Sequence, residues 1–416
     1  MLDIDKWQEI SSNLWQHKLR TFMIAILVSW GIFMLVFLLG AGKGLQNGVE
    51  RQFQGFAKNT MWIWTWKTAM AYNGLPPGRV INLDLDDYQQ IKTKLKGIEE
   101  ITPRLGLWGT LVNRKEKNGS YNVLGIDASY FKIAQLELLQ GRYINESDVK
   151  EKKKTIVIGK IVAENLFKPD EEILGQYLNI KGVYFKIVGV FASKSFGEEA
   201  KDDEEAIFLS YSAVQQSFNF GNRIGNLIVS IADGYDSEDI KIEIKKVLNA
   251  NHRIHPDDDM AIGAWSSQAQ FKIFNGLFMG INGFIIFVAL GTIFAGMIAI
   301  SVIMMITVKE RTREIGVRKA LGATPSSIVL LIMQEALFIN IISGIFGLIA
   351  GVFLIDKLGQ VLETMGFENE YFYNPEVDLS VAVAALFALI LSGLLAGLFP
   401  AINAAKIKPI EALRAD

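Results

Sequence analysis

Four stretches of this 416-residue chain carry no charged residue over a length that can cross a membrane. They are residues 21–42, 273–308, 336–355 and 379–405. A helix needs about 20 apolar residues to cross the ~30 Å hydrocarbon core of a bilayer, and all four stretches reach that length. About 230 residues of mixed polarity separate the first stretch from the other three. This spacing predicts one transmembrane helix, a large water-facing domain, and then three transmembrane helices.

The composition excludes several classes of protein. Hydrophobic residues make up 50% of the chain and charged residues 21%, a balance typical of neither a soluble protein nor one wholly in lipid. The net charge of -2 gives no field that would attract nucleic acid. The chain has no cysteine, only three histidines and no G-x-S-x-G elbow, so we predict no catalytic residues. The first stretch begins twenty residues in and lacks a small-residue cleavage site, so we expect it to be retained.

Lysine and arginine in the short loops predict the orientation, because these residues favour the cytoplasmic side. They flank the first and second spans and follow the last one, at Lys18, Arg20, Lys309, Arg311, Arg313, Arg318, Lys319, Lys406, Lys408 and Arg414. The loop between the third and fourth spans is acidic instead, with Lys357 against Asp356, Glu363, Glu368, Glu370, Glu376 and Asp378. We therefore expect both termini and the 309–324 loop in the cytoplasm, and the large domain outside.

Residues ahead of the first span have the spacing of an amphipathic helix. Ile4, Trp7, Ser11, Leu14 and Trp15 fall near one helical face. We expect this helix at the cytoplasmic surface, either in the membrane interface or packed on the transmembrane bundle.

The second span is longer than a bilayer requires. Its 36 uncharged residues would make a helix of ~54 Å. We expect the surplus to project outward as a continuous helical rod. The alternative is a tilted or kinked helix that ends in an apolar loop, which Gly276, Gly280 and Gly283 would permit.

The loop 309–324 reads KERTREIGVRKALGAT and mixes both charge signs with an apolar stripe of Ile315, Val317 and Leu321. Gly322 can end a short helix, and the following helix can begin at Pro325. Such a surface suits a groove on another protein better than lipid headgroups. The alternative is an anchor on the positive side of the membrane that has no protein partner.

This loop resembles the signature loop of FtsX/MacB-type ABC permeases, through Glu310, Arg311, Arg313, Glu314, Ile315, Gly316, Arg318, Lys319, Ala320, Leu321, Gly322 and Ala323. The C-terminal region resembles the same family through Phe399, Pro400, Ala401, Ala404, Ala405, Pro409, Ile410, Ala412, Leu413 and Arg414, and the third span through Glu335, Ala336 and Leu337. The large domain is similar to the MacB-type periplasmic core at Gly141, Arg142, Val157, Ile158, Gly159, Leu166, Phe167, Gly175, Val188, Gly189 and Val190.

The resemblance implies a permease of the bacterial inner membrane, with a 1+3 set of transmembrane helices and an α+β extracytoplasmic domain inserted between helices 1 and 2. It implies that the loop is a coupling helix that docks on an ATP-binding subunit. We find no G-x-x-x-x-G-K-[ST], and Gly40–Gly44 (GAGKG) has the wrong spacing. The chain thus departs from MacB, which carries a fused nucleotide-binding domain. We expect a separate ATPase that binds ATP and Mg, and no cofactor in this chain.

The two-fold symmetry of an ATPase pair calls for two docking loops, so we expect a dimer, either homodimer or heterodimer. A periplasmic membrane-fusion adaptor and an outer-membrane channel are further possible partners. The predicted function is export of a drug, a peptide or a similar substrate, driven by motion of the partner ATPase. The alternatives are a lipoprotein-releasing permease and an FtsX-like signalling permease that activates a cell-wall hydrolase.

The residues predicted to couple to the ATPase are Glu310, Arg311, Arg313, Glu314, Gly316, Arg318, Lys319, Ala320, Gly322 and Ala323. Glu335 is the acid within the third membrane helix. We expect it to pair with Arg318 or a C-terminal lysine and hold the loop, in preference to a proton relay. The resemblance adds Pro400, Pro409, Leu413 and Arg414 at the end of the fourth span and beyond it.

The large domain alternates strand-like runs, such as 155–158 and 184–190, with helix-like runs, such as 86–95 and 237–248, which predicts an α+β fold. Residues from about 105 to 194 are expected to form an inserted lobe. The predicted divisions are 1–20 (interfacial helix), 21–42 (first span), 43–270 (large domain), 271–308 (second span with stalk), 309–324 (coupling helix), 325–355 (third span), 356–378 (outer loop), 379–400 (fourth span) and 401–416 (C-terminal segment).

Three features of the large domain allow more specific hypotheses. Trp62, Trp64 and Trp66 alternate and would share one face of a strand, as a binding platform or, as we favour, as a buried core face or a surface packed between lobes. The segment with His252, His255 and Asp257–Asp259 has the chemistry of a metal site, but a polar turn explains it better, and we predict no metal. The acidic run 198–205 is expected to be a solvated mobile loop.

Overall fold

The computed structural model describes residues 18–52, 59–134, 136–195, 197–364, 372–377, 379–409 and 412. The predicted helix before residue 18 and the acidic positions Glu368, Glu370 and Asp378 lie outside this range. The chain divides into two compact units. We call residues 1–48 with 277–416 the helical unit, and residues 49–276 the α/β unit.

In chain order the elements are α1 (Lys18–Gln52), β1 (Thr60–Thr65), α2 (Leu85–Lys94), β2 (Ile98–Arg114), β3 (Lys117–Ile126), α3 (Tyr130–Ile133), β4 (Leu136–Gly141), α4 (Glu146–Lys150), β5 (Thr155–Gly159), α5 (Lys160–Leu166), β6 (Tyr177–Ile180), β7 (Val183–Ser193), α6 (Gly197–Glu204), β8 (Ala206–Ser210), α7 (Tyr211–Phe218), β9 (Asn226–Ile231), α8 (Ser237–His252), β10 (Ile262–Ser266), α9 (Ser267–Glu310), α10 (Thr312–Ala320), α11 (Pro325–Thr364) and α12 (Leu379–Ala405).

Helices α1, α9, α11 and α12 are each long and apolar enough to cross a membrane. They coincide with the four uncharged stretches of the sequence. The helices extend beyond the uncharged stretches, since α11 begins at Pro325 and ends at Thr364. Helix α9 is unbroken over 44 residues, ~66 Å of helix, and runs through Gly276, Gly280 and Gly283 without a loop.

The helical unit packs through small residues and β-branched side chains. Ile24, Val28 and Ile32 of α1 share a core with residues of the other three long helices. A Cβ at Gly347 of α11 would overlap the backbone carbonyl of Ser29 in α1, so only glycine lets these two helices approach so closely. Close approach at small residues is how membrane helices gain packing energy, because lipid is as apolar as leucine.

The α/β unit is built on a ten-stranded sheet with the order β10-β1-β9-β2-β3-β8-β5-β7-β4, and β6 pairs with both β2 and β7. The pairs β3/β8 and β5/β7 are parallel and the others are antiparallel. Helices cover parts of the sheet, which confirms the predicted mixture of helices and strands.

The unit has separate hydrophobic cores at the two ends of its sheet. One core packs β1, β9 and β10 against α2 and α8. A second core lies among β3, β5, β7 and β8 with α5 and α7, and begins at Leu105. The long strand β2 takes part in both, with an irregular register between Leu107 and Thr110. The predicted lobe therefore starts where expected, but its core continues past residue 194 to Val214.

Trp62 and Trp64 of β1 do share one face, and Trp66 follows the strand, but the preferred buried interpretation is wrong for Trp64 and Trp66. Trp64 is 40% and Trp66 64% exposed, whereas Trp62 is half-buried. The sheet buries the opposite face here, with Met61 and Ile63 in the core. A strand that is covered on one side by helices leaves its alternate residues at the surface.

The acidic run 198–205 is not a loop, because most of it forms helix α6. Asp203 of this helix accepts a hydrogen bond from Ser193 Oγ at 2.8 Å, and Glu204 accepts one from the Ser193 amide at 3.2 Å. These bonds hold α6 against the end of β7. Burial raises the pKa of Asp203 to about 6.

Candidate functional site

The predicted coupling loop forms a short helix with defined ends. Helix α10 follows α9 after the single residue Arg311, whose backbone leaves the helical region. Gly322 ends the segment with a φ of +100°, a conformation that favours glycine. Thr324 Oγ1 then accepts a hydrogen bond from the Ser327 amide at 3.3 Å, and α11 begins at Pro325. The stop and start signals read from the sequence are confirmed.

One face of α10 packs into the helical unit. Ile315 and Gly316 are buried there. A Cβ at position 316 would lie 2.5 Å from the Cβ of Ala412, so glycine lets this residue, which lies beyond the end of α12, touch the helix. Ala412 itself is buried. The coupling segment and the C-terminal segment therefore pack against each other.

A buried ion pair connects the segment to α11. Arg311 Nη1 lies 3.2 Å from Glu335 Oε2, and Glu335 is only 6% exposed. The sequence predicted Arg318 or a C-terminal lysine as a partner of Glu335, and the contact that joins the loop to α11 here is with Arg311. Arg318 instead bonds Glu314 at 2.9 Å, because its position in α10 places it one turn from that carboxylate.

Glu314 receives two hydrogen bonds from Arg311, at 2.9 and 3.0 Å, besides the one from Arg318. The Arg311 guanidinium holds the pKa of Glu314 below its ordinary value, in opposition to partial burial, and Arg318 adds to the effect. The two arginines and two carboxylates form a continuous network. It links the start of α10 to its middle and to α11.

Lys319 fastens the other end of α10 to α12. Its ammonium donates to the carbonyls of Ala405 at 2.8 Å and Ile407 at 2.6 Å, at and just beyond the C-terminus of α12. A cation is favourable there because the last carbonyls of a helix carry partial negative charge. Helix α10 is thus attached to both α11 and α12.

The opposite face of α10 is apolar and exposed. Val317 is 41% and Leu321 84% exposed, with Arg313 also at the surface. The predicted single stripe is wrong, because Ile315 and Val317 are two residues apart, about 200° around a helix, and point to opposite sides. Val317 and Leu321 lie one turn apart and share the outer side. We call Val317 and Leu321 the outer patch.

The remaining predicted residues lie around this patch or at the end of α12. Glu310 is the last residue of α9, and Ala320 is the last residue of α10. The amide of Ala323 donates to the Arg318 carbonyl at 3.0 Å. Pro400 lies inside α12, and Pro409 follows that helix. Leu413 and Arg414, with Ile410, fall outside the described residues.

The histidines and aspartates considered as metal ligands are engaged in protein contacts. Asp258 is buried, and its two carboxylate oxygens accept from the amides of Ala69, Met70, Met260 and Ala261 at 2.8–3.3 Å. Asp259 pairs with Lys245 at 2.7 Å. In the described part of the chain no three such side chains converge on a point that could hold a metal. Asp258 is a structural anchor for two loops.

His252 clamps α8 to α2. Its Nε2 lies 2.7 Å from the buried carboxylate of Asp87, which also accepts from Asn251 at 2.8 Å. The hydrogen bond to Asp87 raises the pKa of His252, against the effect of burial. Burial alone would raise the pKa of Asp87, but the bonds from His252 and Asn251 lower it below its ordinary value. The pair is a structural contact of the α/β unit.

Two family models match the chain. The MacB-like periplasmic core domain covers residues 21–247, which is more than half of the chain, and the FtsX-like permease C-terminal domain covers residues 286–409. The first range holds strands β1 to β9 of the sheet, and the second holds α10, α11 and α12. The chain therefore belongs to the family of MacB/FtsX-type ABC transporter permeases, which are multi-pass membrane proteins.

Relatives of known name align along almost the whole chain. A macrolide export ATP-binding/permease protein MacB of Bdellovibrio bacteriovorus is 25% identical, over 96% of this chain and 60% of its own length. A pyoverdine export ATP-binding/permease protein PvdT of Pseudomonas aeruginosa is 29% identical, over 96% of this chain and 57% of its own length. An ABC transporter permease of Methanocaldococcus jannaschii is 27% identical, over 97% of this chain and 96% of its own. The chain thus spans about three fifths of the ATP-binding/permease relatives.

Proposed function

We propose that this chain is the permease subunit of an ABC exporter and transmits the ATP-driven motion of a separate ATP-binding subunit to its α/β unit. One observation carries the proposal. Helix α10 is attached on its inner side to α11 and α12, through Arg311–Glu335 and Lys319, while its outer patch is exposed. A force on the outer patch would therefore reach the membrane helices directly.

The outer patch has the chemistry of a protein docking site. An exposed leucine and valine at helical spacing can enter an apolar groove, and the charged residues around them would form its polar rim. ATP and Mg would be bound by the partner, which supplies the hydrolysis. The chain itself would bind the ATP-binding subunit and transmit its motion to the α/β unit. The residues that couple the two proteins would include Arg313 and Glu314.

Helix α9 supplies a path for the motion. It begins directly after β10 of the sheet and ends one residue before α10, with no break in between. Its first residue, Ser267, exchanges hydrogen bonds with the backbone of Thr60 in β1, at 2.9 and 3.1 Å. A displacement of the α10 end would thus act on a helix that is secured to the sheet at its other end.

The distribution of lysine and arginine supports an orientation in the bacterial inner membrane. The termini and α10 would be cytoplasmic, the four long helices would cross in a 1+3 arrangement, and the α/β unit would be outside. A dimer would supply two copies of α10 to a two-fold ATPase pair. The names of the MacB and PvdT relatives favour export over lipoprotein release or signalling. A periplasmic adaptor and an outer-membrane channel would complete an export path.

Copurification from native membranes in mild detergent, with mass spectrometry, tests the proposal. We expect an ATP-binding subunit to copurify, and to be lost from the Leu321→Asp and Val317→Asp variants. Leu139→Asp is the matched control, since Leu139 is an exposed leucine of the α/β unit. Retention of the ATPase by Leu321→Asp would refute docking at the outer patch.

The other copurifying proteins separate the functional alternatives. A periplasmic adaptor would support export. A second, different permease would indicate lipoprotein release, and a cell-wall hydrolase would indicate signalling. Absence of any ATPase from the unmodified protein would contradict the proposal as a whole.

A further inference from the structure

Asn340 of α11 is a buried amide inside the helical unit. Its side chain is 1% exposed, and neither Nδ2 nor Oδ1 has a hydrogen-bond partner in the described part of the chain. A Cβ at position 393 would overlap Asn340 Nδ2, so the amide lies directly against the backbone of α12 at Gly393. Within a membrane such a group is costly, because lipid offers no hydrogen bonds.

The amide lines a small cavity between the helices. Thr292 of α9 and Ser392 of α12 line the same cavity, together with apolar residues of α1 and α9. The space open to the centre of a water-sized sphere is about 20 Å³. One buried water needs roughly 10–15 Å³ by this measure, so the cavity has room for one water.

The two hydroxyl groups are suited to accept hydrogen bonds. Thr292 Oγ1 donates its proton to the Ala289 carbonyl at 2.9 Å, and Ser392 Oγ donates to the Leu389 carbonyl at 2.8 Å. Each oxygen keeps lone pairs after its proton is used. The cavity therefore has two hydroxyl acceptors and the donor and acceptor of one amide.

We propose that a single structural water is bound in this cavity and joins α9, α11 and α12 inside the membrane. It would accept a hydrogen bond from Asn340 Nδ2 and donate to Thr292 Oγ1 and Ser392 Oγ. Three bonds are typical of a buried water. The bound water would give a hydrogen-bond partner to an asparagine that would otherwise destabilise the bundle.

A water at this place would affect how α9 moves. A direct bond between Asn340 and Thr292 would break when α9 shifts, whereas a bridging water can follow the hydroxyl and keep both groups bonded. The inference is independent of the ATP-binding partner, because it concerns contacts within the helical unit alone.

A double-mutant cycle tests the bridge in the full-length protein. The apparent Tm is measured by gel filtration of heated samples for Asn340→Leu, Thr292→Val and the double variant. We expect each single variant to lower the Tm, and Thr292→Val to have no further effect once Asn340 is replaced, a non-additivity of about 2 °C or more. Thr307→Val is the control, because Thr307 also donates to a carbonyl of the preceding turn of α9, that of Ile303 rather than three residues earlier as for Thr292, but lies away from the cavity. Its effect should add to that of Asn340→Leu.

The proposal would be overturned if Thr292→Val lowered the Tm by the same amount in the presence and in the absence of Asn340→Leu. A higher Tm for Asn340→Leu, which is the result expected if the amide is dry and unpaired, would also overturn it. A second measurement uses the unmodified protein and therefore does not depend on the folding of any variant. Solid-state NMR of the unmodified protein in lipid bilayers should show transfer from water to the buried side-chain amide of Asn340, and its absence would also exclude the site.

Discussion

The Arg311–Glu335 pair should stabilise the helical unit far more than its neighbour Arg318–Glu314. The side-chain exposures are 15% and 8% in the first pair, against 33% and 44% in the second. Replacing Arg311 by methionine keeps an apolar stem of similar length but removes the cation beside the buried carboxylate of Glu335. Arg318→Met makes the same chemical change in the exposed pair.

The expected magnitudes differ by several-fold. Breaking a buried ion pair from one side costs about 3–5 kcal/mol, because the other charge stays in a low-dielectric environment. An exposed pair is worth about 0.2–1 kcal/mol, since water already solvates both groups. For a unit of this size we therefore expect Arg311→Met to lower the Tm by about 6 °C or more, and Arg318→Met by about 4 °C or less.

Thermal unfolding of the full-length variants in detergent measures both shifts. The double variant Arg311→Met/Glu335→Gln adds a second test, because it removes the uncompensated charge along with its partner. We expect it to be more stable than Arg311→Met alone. Equal losses of Tm in Arg311→Met and Arg318→Met would show that the burial of Glu335 does not determine the stability. So would a Tm of the double variant that is no higher than that of Arg311→Met.

Three further predictions concern packing and pH. Gly347→Ala should destabilise the protein by about 1–3 kcal/mol, since its Cβ would overlap a carbonyl of α1. The control Gly291→Ala has no atom within 4 Å of the added Cβ and should cost nothing. Comparable losses of stability in thermal unfolding of the two variants would refute the packing argument. The pair of His252 with Asp87 should stabilise the α/β unit most between pH 3.8 and 6.5, because the pKa of His252 is raised and that of Asp87 lowered, and this stability should fade as pH rises through the folded-state pKa of His252. The Tm difference between the unmodified protein and His252→Gln should then be larger at about pH 6 than at about pH 9, and a constant difference would contradict the charged pair. Asp258→Ala should cost about 1–3 kcal/mol in the same assay, because it removes the acceptor of the buried Ala261 amide and of three partly buried amides, and a neutral effect would show that the loops hold without it.

The sequence predicted the long apolar helices well, because an uncharged stretch of about 20 apolar residues is typical of a transmembrane helix. It underestimated the length of the third span at one end, since α11 begins at Pro325 as predicted but continues past residue 355 to Thr364, where charged and polar residues are still helical. The ends of α10 were also predictable, because Gly322 and Pro325 are local signals that need no tertiary contact.

The tertiary partners could not be predicted from the sequence. The pair of Glu335 with Arg311 depends on how the loop is rotated on the bundle, which no local pattern specifies. The exposure of Trp64 and Trp66 depends on which side of β1 the helices cover. Asn340 was overlooked because an asparagine in an apolar stretch gives no sign of its neighbours. A check for uncharged polar residues within the spans would have drawn attention to it.

Site-specific crosslinking at position 321 tests the central claim most directly. The chain has no cysteine, so Leu321→Cys can carry a single photoreactive label in native membranes, with Leu139→Cys as the control. We predict that the label at 321 crosslinks to an ATP-binding subunit and that the label at 139 does not. A label at 321 that reaches only lipid or this chain would contradict the claim that the outer patch of α10 is the contact with the ATPase.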